Sequence, residues 1–81
     1  MEEIKTYVSV VARFDPEGNM LPVSVEWVDG TVYEIDRVLD VRRRASLKAG
    51  GTGIRYTVRI AGKTTAIFYE DPAWFVERRD S

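Results

Sequence analysis

Apolar and polar residues alternate one by one in short runs along this chain of only 81 residues, and this pattern limits its fold more than any other feature. Alternation with a period of two places successive side chains on opposite faces of a strand, one buried and one exposed. The clearest run sets Ile54, Tyr56 and Val58 against Arg55 and Thr57. Segments rich in Gly, Pro and Asp separate the runs, as turns separate strands. The sequence therefore predicts an all-β fold.

The runs are six in number, and they begin at Ile4, Val23, Thr31, Ile54, Thr65 and Trp74. Asp29-Gly30 lies between the second and third runs, and this dipeptide is typical of a tight β-hairpin turn. Asp36-Arg37 marks an expected bulge, because Val38 breaks the alternation of the third run. Strands this short must curl to bury one face each. We expect residues 1–81 to form one domain, a small, partly open antiparallel β-barrel or roll of five to six strands.

The alternation stops between Arg42 and Gly53. This segment contains the triplet Arg42-Arg43-Arg44 and a glycine-rich stretch, so the sequence predicts that it is the longest connection of the domain. Residues 45–49 have the composition of a single helical turn, which is too short to be stable alone.

Cys and His are both absent. Their absence excludes disulfides, thiol nucleophiles, Ser-His-Asp machinery and the usual zinc and haem ligands. We therefore expect a non-enzymatic protein that needs no cofactor and no metal.

The chain has no apolar run near 18 residues and begins with an acidic segment, from which we expect a cytoplasmic protein with no membrane partner.

Charge is distributed unevenly along the chain. Residues 1–41 hold three basic residues against nine carboxylates, which gives −6, whereas residues 42–81 hold nine against four, which gives +5. A nearly neutral total can therefore contain a basic surface that attracts phosphates.

The candidate nucleic-acid-binding residues are the basic side chains of the long connection, of the clearest strand and of the turn that follows it: Arg42, Arg43, Arg44, Lys48, Arg55, Arg59 and Lys63. Small barrels bind single-stranded nucleic acid with such residues and with aromatic rings that stack on bases; Tyr7 or Tyr69 could supply the ring. Two alternatives stay open. The basic residues could instead form a solvated face paired with Glu26, Glu34 and Asp36, and the domain could bind a peptide or a second copy of itself through a sheet edge.

Other motifs are weaker. Gly50-Gly51-Thr52-Gly53 lacks the Lys and the strand-helix context of a phosphate-binding loop, and a plain hairpin loop explains it better. The acidic segment 15–19 has the wrong register for a calcium loop, so turn chemistry explains it. The carboxylates Glu26, Glu34 and Asp36 could crowd together, but nothing indicates the burial that acid-base catalysis requires.

Three segments together carry a resemblance to a known group: Trp27 to Val38, Gly53 to Val58 and Trp74 to Glu77. Their spacing resembles that of a group of short uncharacterised bacterial proteins, over most of residues 20–78. The resemblance implies a small SH3-like β-barrel without an assigned activity, and it assigns no functional residue.

Overall fold

The computed structural model describes residues 3–45 and 52–79. Every regular element in these two segments is a β-strand, which confirms the all-β prediction. The seven strands are β1 (Glu3–Phe14), β2 (Met20–Glu26), β3 (Val32–Glu34), β4 (Arg37–Ala45), β5 (Thr52–Ile60), β6 (Lys63–Glu70) and β7 (Ala73–Arg79).

All seven strands belong to one antiparallel sheet with the order β3-β2-β1-β7-β6-β5-β4. The two outermost strands, β3 and β4, are joined by only Ile35 and Asp36. The backbone N–H of Ile35 donates to the carbonyl of Val23 in β2 (2.9 Å), and that of Asp36 donates to the carbonyl of Arg59 in β5 (2.8 Å). These two bonds hold the ends of the sheet near each other at one corner, so the sheet curls into a partly open, barrel-like shape.

The strand count is higher than predicted, seven rather than five to six, because the run from Thr31 to Val41 is two strands. The chain leaves β3 after Glu34 and enters β4 at Arg37. The register shift in β4 lies between Val38 and Asp40 and not at Asp36-Arg37. A bulge placed there restores the alternation, so that Val38 and Val41 are paired with the core residues Val58 and Tyr56.

The predicted long connection is shorter than the sequence suggests. Arg42, Arg43 and Arg44 are not loop residues, because β4 continues to Ala45 and pairs with β5 down to Thr52. Of the helical turn predicted for residues 45–49, Ala45 belongs to β4 and the remaining residues lie outside the described part of the chain. Of the glycine-rich stretch, Thr52 and Gly53 belong to β5, and Gly50 and Gly51 lie outside the described part.

The inner face of the sheet forms the main core. Val25, Tyr56, Val58 and Ile67 are buried there, and Val58 and Ile67 have no exposed surface. Side chains from β1, β4 and β7 pack against this cluster. Burial of each large apolar side chain contributes about 1.5–3 kcal/mol to folding. Strand β1 pairs with β7 through residues 3–8 and with β2 through residues 9–14. Its register with β2 shifts between Val11 and Ala12, near the bend expected at Val10-Val11.

The outer face carries a second buried cluster of aromatic rings. Phe68 and Phe75 are direct partners on β6 and β7 and are 6% and 1% exposed. Both rings lie on the face opposite to Ile67, the neighbour of Phe68 in β6. The two rings stack with centroids 5.2 Å apart. The Lys5 ammonium lies 4.5 Å from the centroid of the Phe75 ring and 3.5 Å from a carboxylate oxygen of Glu70. This half of the outer face is therefore covered.

The two acidic turns are stabilised by their own aspartates. Asp15 accepts bonds from the backbone N–H groups of Glu17 and Asn19 (both 2.9 Å), and Asp29 accepts one from Thr31 (2.9 Å). These donors favour the ionised carboxylates and lower the pKa of both aspartates. Turn chemistry accounts for segment 15–19, and Gly30, at φ 88°, completes the predicted hairpin turn.

Candidate nucleic-acid interface

Four arginines share the outer face of β4 and β5. In the register of the two strands, Arg37 is opposite Arg59 and Arg42 is opposite Arg55. Successive side chains on a strand point to opposite faces, and Val58 belongs to the core. The neighbouring residue Arg59 and its partner therefore point outward, and the same alternation places the second arginine pair on that face. These residues, Arg37, Arg42, Arg55 and Arg59, are called the arginine face below.

Like charges directly opposite each other on a sheet are unfavourable. In the described part of the chain, no carboxylate lies within the 4.0 Å ion-pair distance of Arg37, Arg55 or Arg59. All four arginines are exposed. Together with the outward-facing Asp40, the arginine face carries 4 − 1 = +3 charges. Repulsion among these like charges disfavours the folded state. A surface of this kind is better explained by an anionic ligand than by a contribution to stability.

Asp40 is the one carboxylate that contacts the arginine face in the described residues. Its Oδ2 accepts a bond of 2.8 Å from Nε of Arg42. Nε carries one of the five N–H donors of a guanidinium, so four donors of Arg42 remain for a ligand. The bond also holds this long side chain along the strand, which lowers the entropy that it would lose on binding.

The seven candidate nucleic-acid-binding residues predicted from the sequence do not all lie on one surface. Arg42, Arg55 and Arg59 lie together on the arginine face. Arg43 points to the inner face, because it is opposite Ile54, and Lys63 lines an inner cleft beside Trp27. Arg44 belongs to β4 opposite Gly53, and Lys48 lies outside the described residues. Sequence reasoning missed Arg37, since the expected bulge at Asp36-Arg37 obscured which way its side chain points.

The alternative in which the basic residues pair with Glu26, Glu34 and Asp36 is not observed in the described part of the chain. The two ion pairs found there are Lys5 with Glu70 and Arg42 with Asp40. Glu26 and Glu34 are exposed on β2 and β3, and they are opposite Val32 and Ser24 rather than each other. None of the three carboxylates therefore forms an ion pair with the arginine face in the described residues, and Glu26 and Glu34 are not direct partners across β2 and β3.

The two tyrosines proposed for base stacking are differently placed. Tyr69 is on the inner side: its ring centroid lies 4.8 Å from that of Trp74, and its hydroxyl donates to Asp71 (2.9 Å). That bond, with partial burial and the charge of Asp71, raises the Tyr69 pKa. Tyr7 is on the outer face and 57% exposed, but β7 and β6 separate β1 from β5, which is about 14 Å at about 4.8 Å per strand. Neither of these two tyrosines therefore lies beside the arginine face.

Residues 3–45 and 52–79 contain no group of three or more acidic side chains placed to hold a metal ion. In the same two segments, no helix has the length and apolar character needed to cross a membrane.

Comparison of the chain with known protein families, with curated proteins and with solved structures found no match.

Proposed function

We propose that this protein is a non-enzymatic, cytoplasmic module with a small SH3-like barrel that binds single-stranded nucleic acid weakly and without sequence preference through the arginine face. The observation that carries the proposal is the arrangement of two arginine pairs directly opposite each other, Arg37 with Arg59 and Arg42 with Arg55. Guanidinium groups bind phosphate oxygens through two parallel hydrogen bonds. A bound phosphate between two paired arginines would also remove their mutual repulsion.

The dimensions of the arginine face suit an extended strand. Arg55 and Arg59 are four residues apart on β5, which corresponds to about 13 Å at about 3.3 Å per residue. This length reaches more than one phosphate of a nucleic-acid strand. Since no exposed aromatic side chain lies on the described part of β4 and β5, base stacking contributes little, and the binding should depend strongly on salt and little on sequence.

The alternative of self-association through a sheet edge has less support. The exposed edges are β3, with three residues, and β4. Strand β4 carries a bulge and the charged residues Arg37, Asp40 and Arg42, and both features protect natural sheet edges from pairing with another strand.

A peptide-binding module is the second candidate function. The observation that favours it is an apolar cleft of about 400 Å³ whose lining includes Trp27, Tyr33 and Ile60. Aromatic side chains in clefts of this kind bind extended peptides.

Fluorescence polarisation with a labelled oligothymidylate tests the nucleic-acid proposal. We expect measurable binding at low salt and a linear fall of log affinity with log salt concentration. Arg42→Gln and Arg55→Gln should each reduce that slope by about 0.7, the value for one phosphate contact on a single strand. Arg43→Gln is the matched control, because it removes the same charge from the adjacent residue on the inner face.

Two results would contradict the proposal. One is the absence of any association at low salt, after which the peptide-binding candidate takes its place. The other is an equal loss of affinity for Arg42→Gln and Arg43→Gln, which would show that oligonucleotides respond to net charge and not to the arginine face.

A further inference from the structure

A second cleft lies on the inner side, where the barrel is open. It occupies about 440 Å³ between the start of β2 and the inner face of β4 and β5, a volume within the range of small-molecule sites. Its apolar walls are Leu21, Val41, Ile54 and Tyr56, and segment 15–19 and Arg43 border it. Tyr56 ties the two walls together, because its hydroxyl donates to the backbone carbonyl of Met20.

Arg43 is the basic residue of this cleft. The residue is exposed, and no described carboxylate lies within ion-pair distance of its guanidinium. Its charge reaches into the cleft: burial raises the pKa of the Tyr56 hydroxyl, and the positive field of Arg43 opposes that rise.

The carboxylate of Asp15, the acidic residue of the cleft, already accepts three hydrogen bonds. Its Oδ1 accepts the backbone N–H bonds of Glu17 and Asn19, and its Oδ2 accepts a bond of 3.1 Å from the side-chain amide of Asn19. The carboxylate thus holds the turn and forms no ion pair with Arg43, although it keeps its negative charge. The hydroxyl hydrogen of Tyr56 is also committed, to Met20. Among the described side chains of the cleft, the guanidinium of Arg43 therefore supplies most of the hydrogen-bond donors that can bind a ligand. It lies beside the apolar wall of the cleft.

We infer that this cleft binds a small organic carboxylate with an apolar body, with the carboxylate on Arg43 and the body against Val41, Ile54 and Leu21. An arginine guanidinium binds a carboxylate bidentately, and burial of the apolar body supplies the rest of the affinity. The same chemistry is found in a free aromatic acid and in the C-terminal residue of a peptide. This site is independent of the arginine face, since adjacent side chains of β4 point to opposite sides.

The test is a titration of the ¹⁵N-labelled protein followed by NMR. Naphthalene-1-acetate is the free-acid probe, and its neutral amide is the matched control ligand. Acetyl-Gly-Leu with a free carboxylate, compared with its C-terminal amide, forms the peptide arm. We expect carboxylate-dependent shifts at residues 15–21, 41–43 and 54–56, with at least about tenfold weaker binding of the amides, since hydrogen bonds to charged groups are the stronger ones.

Arg43→Gln should weaken carboxylate binding by at least about tenfold, whereas Arg42→Gln, which removes the same charge from the outer face, should bind like the wild type. The two arms show whether the free acid or the peptide terminus is the better ligand. The inference is overturned if neither carboxylate binds up to its solubility limit, if the amides bind equally well, if Arg43→Gln has no effect, or if the shifts fall outside the cleft. Because oligonucleotide binding depends on Arg42 and carboxylate binding on Arg43, either proposal can fail without the other.

Discussion

Arg55 and Phe68 are direct partners on neighbouring strands, and both point to the outer face, yet their environments are opposite. Arg55 is exposed and belongs to the arginine face, whereas Phe68 is 6% exposed and stacks on Phe75. The outer surface thus has two halves: β6 and β7 carry a covered aromatic cluster, and β4 and β5 carry uncovered charge. Strand alternation therefore determines which residues share a face but does not determine which part of that face is buried.

The largest expected effect is the difference in free energy of unfolding between a mutation in the aromatic half and one in the charged half. Phe75→Ala should lower the free energy of unfolding by about 3–5 kcal/mol, because it removes a fully buried ring. Arg55→Ala should change it by no more than about 0.5 kcal/mol, as for most exposed side chains. Urea denaturation followed by tryptophan fluorescence measures both.

A domain of this size has a total stability of only about 4–12 kcal/mol, so Phe75→Ala could prevent folding. Phe75→Leu, which keeps most of the apolar volume, serves as the folded reference. If Phe75→Ala matched Arg55→Ala in stability, the outer face would not have two different halves.

A smaller effect concerns Tyr56, the strand neighbour of Arg55 on the inner face. Tyr56→Phe should cost about 0.5–1.5 kcal/mol, because the carbonyl of Met20 loses its donor across the cleft. Burial raises the Tyr56 pKa, so the folded state keeps the proton when the unfolded state loses it near pH 10. The stability that the hydroxyl contributes is therefore present below about pH 10 and is lost as the pH rises through the higher pKa of the folded state.

Urea denaturation at neutral and alkaline pH measures this effect. Tyr33→Phe, at an exposed tyrosine, is the control and should be neutral at both pH values. A difference between wild type and Tyr56→Phe that grew with rising pH would contradict the assigned environment of Tyr56.

The smallest effect concerns repulsion within the arginine face. Arg59→Glu places a carboxylate opposite Arg37 and should raise the free energy of unfolding by about 0.2–1 kcal/mol at low salt, because an unfavourable like-charge pair becomes a favourable opposite-charge pair. The gain should shrink at high salt, where exposed charges are screened. Denaturation at two salt concentrations measures it, with Arg59→Gln as an intermediate control.

The same variant should bind oligonucleotides less well, although it is more stable. A gain in stability accompanied by a loss of binding is the behaviour of a surface whose charges serve a ligand. A salt-independent change in stability would show instead that Arg37 and Arg59 do not interact.

Much of the inner face could be predicted from the sequence. The run from Ile54 to Ile60 identified Tyr56 and Val58 as core residues, and both are buried. The Asp29-Gly30 turn was also predictable, because it depends on local chemistry: a carboxylate that accepts backbone N–H bonds and a glycine at positive φ. The candidate site was predicted only in part, since Arg42, Arg55 and Arg59 were correctly grouped while Arg43 and Lys63 were assigned to a surface that they do not share.

The strands of the regular runs, the Asp-containing turns and the core side of those runs follow from the sequence alone, since each depends on residues close together in the chain. The place where the arginines meet depends instead on how the strands pair. A bulge adds one residue to one strand, and a shift of one residue moves every later side chain to the other face. The position of the bulge between Val38 and Asp40 therefore brought Arg37 and Arg42 onto one face and turned Arg43 toward the cleft, because strand pairing with β5, and not the local pattern of β4, fixes the register.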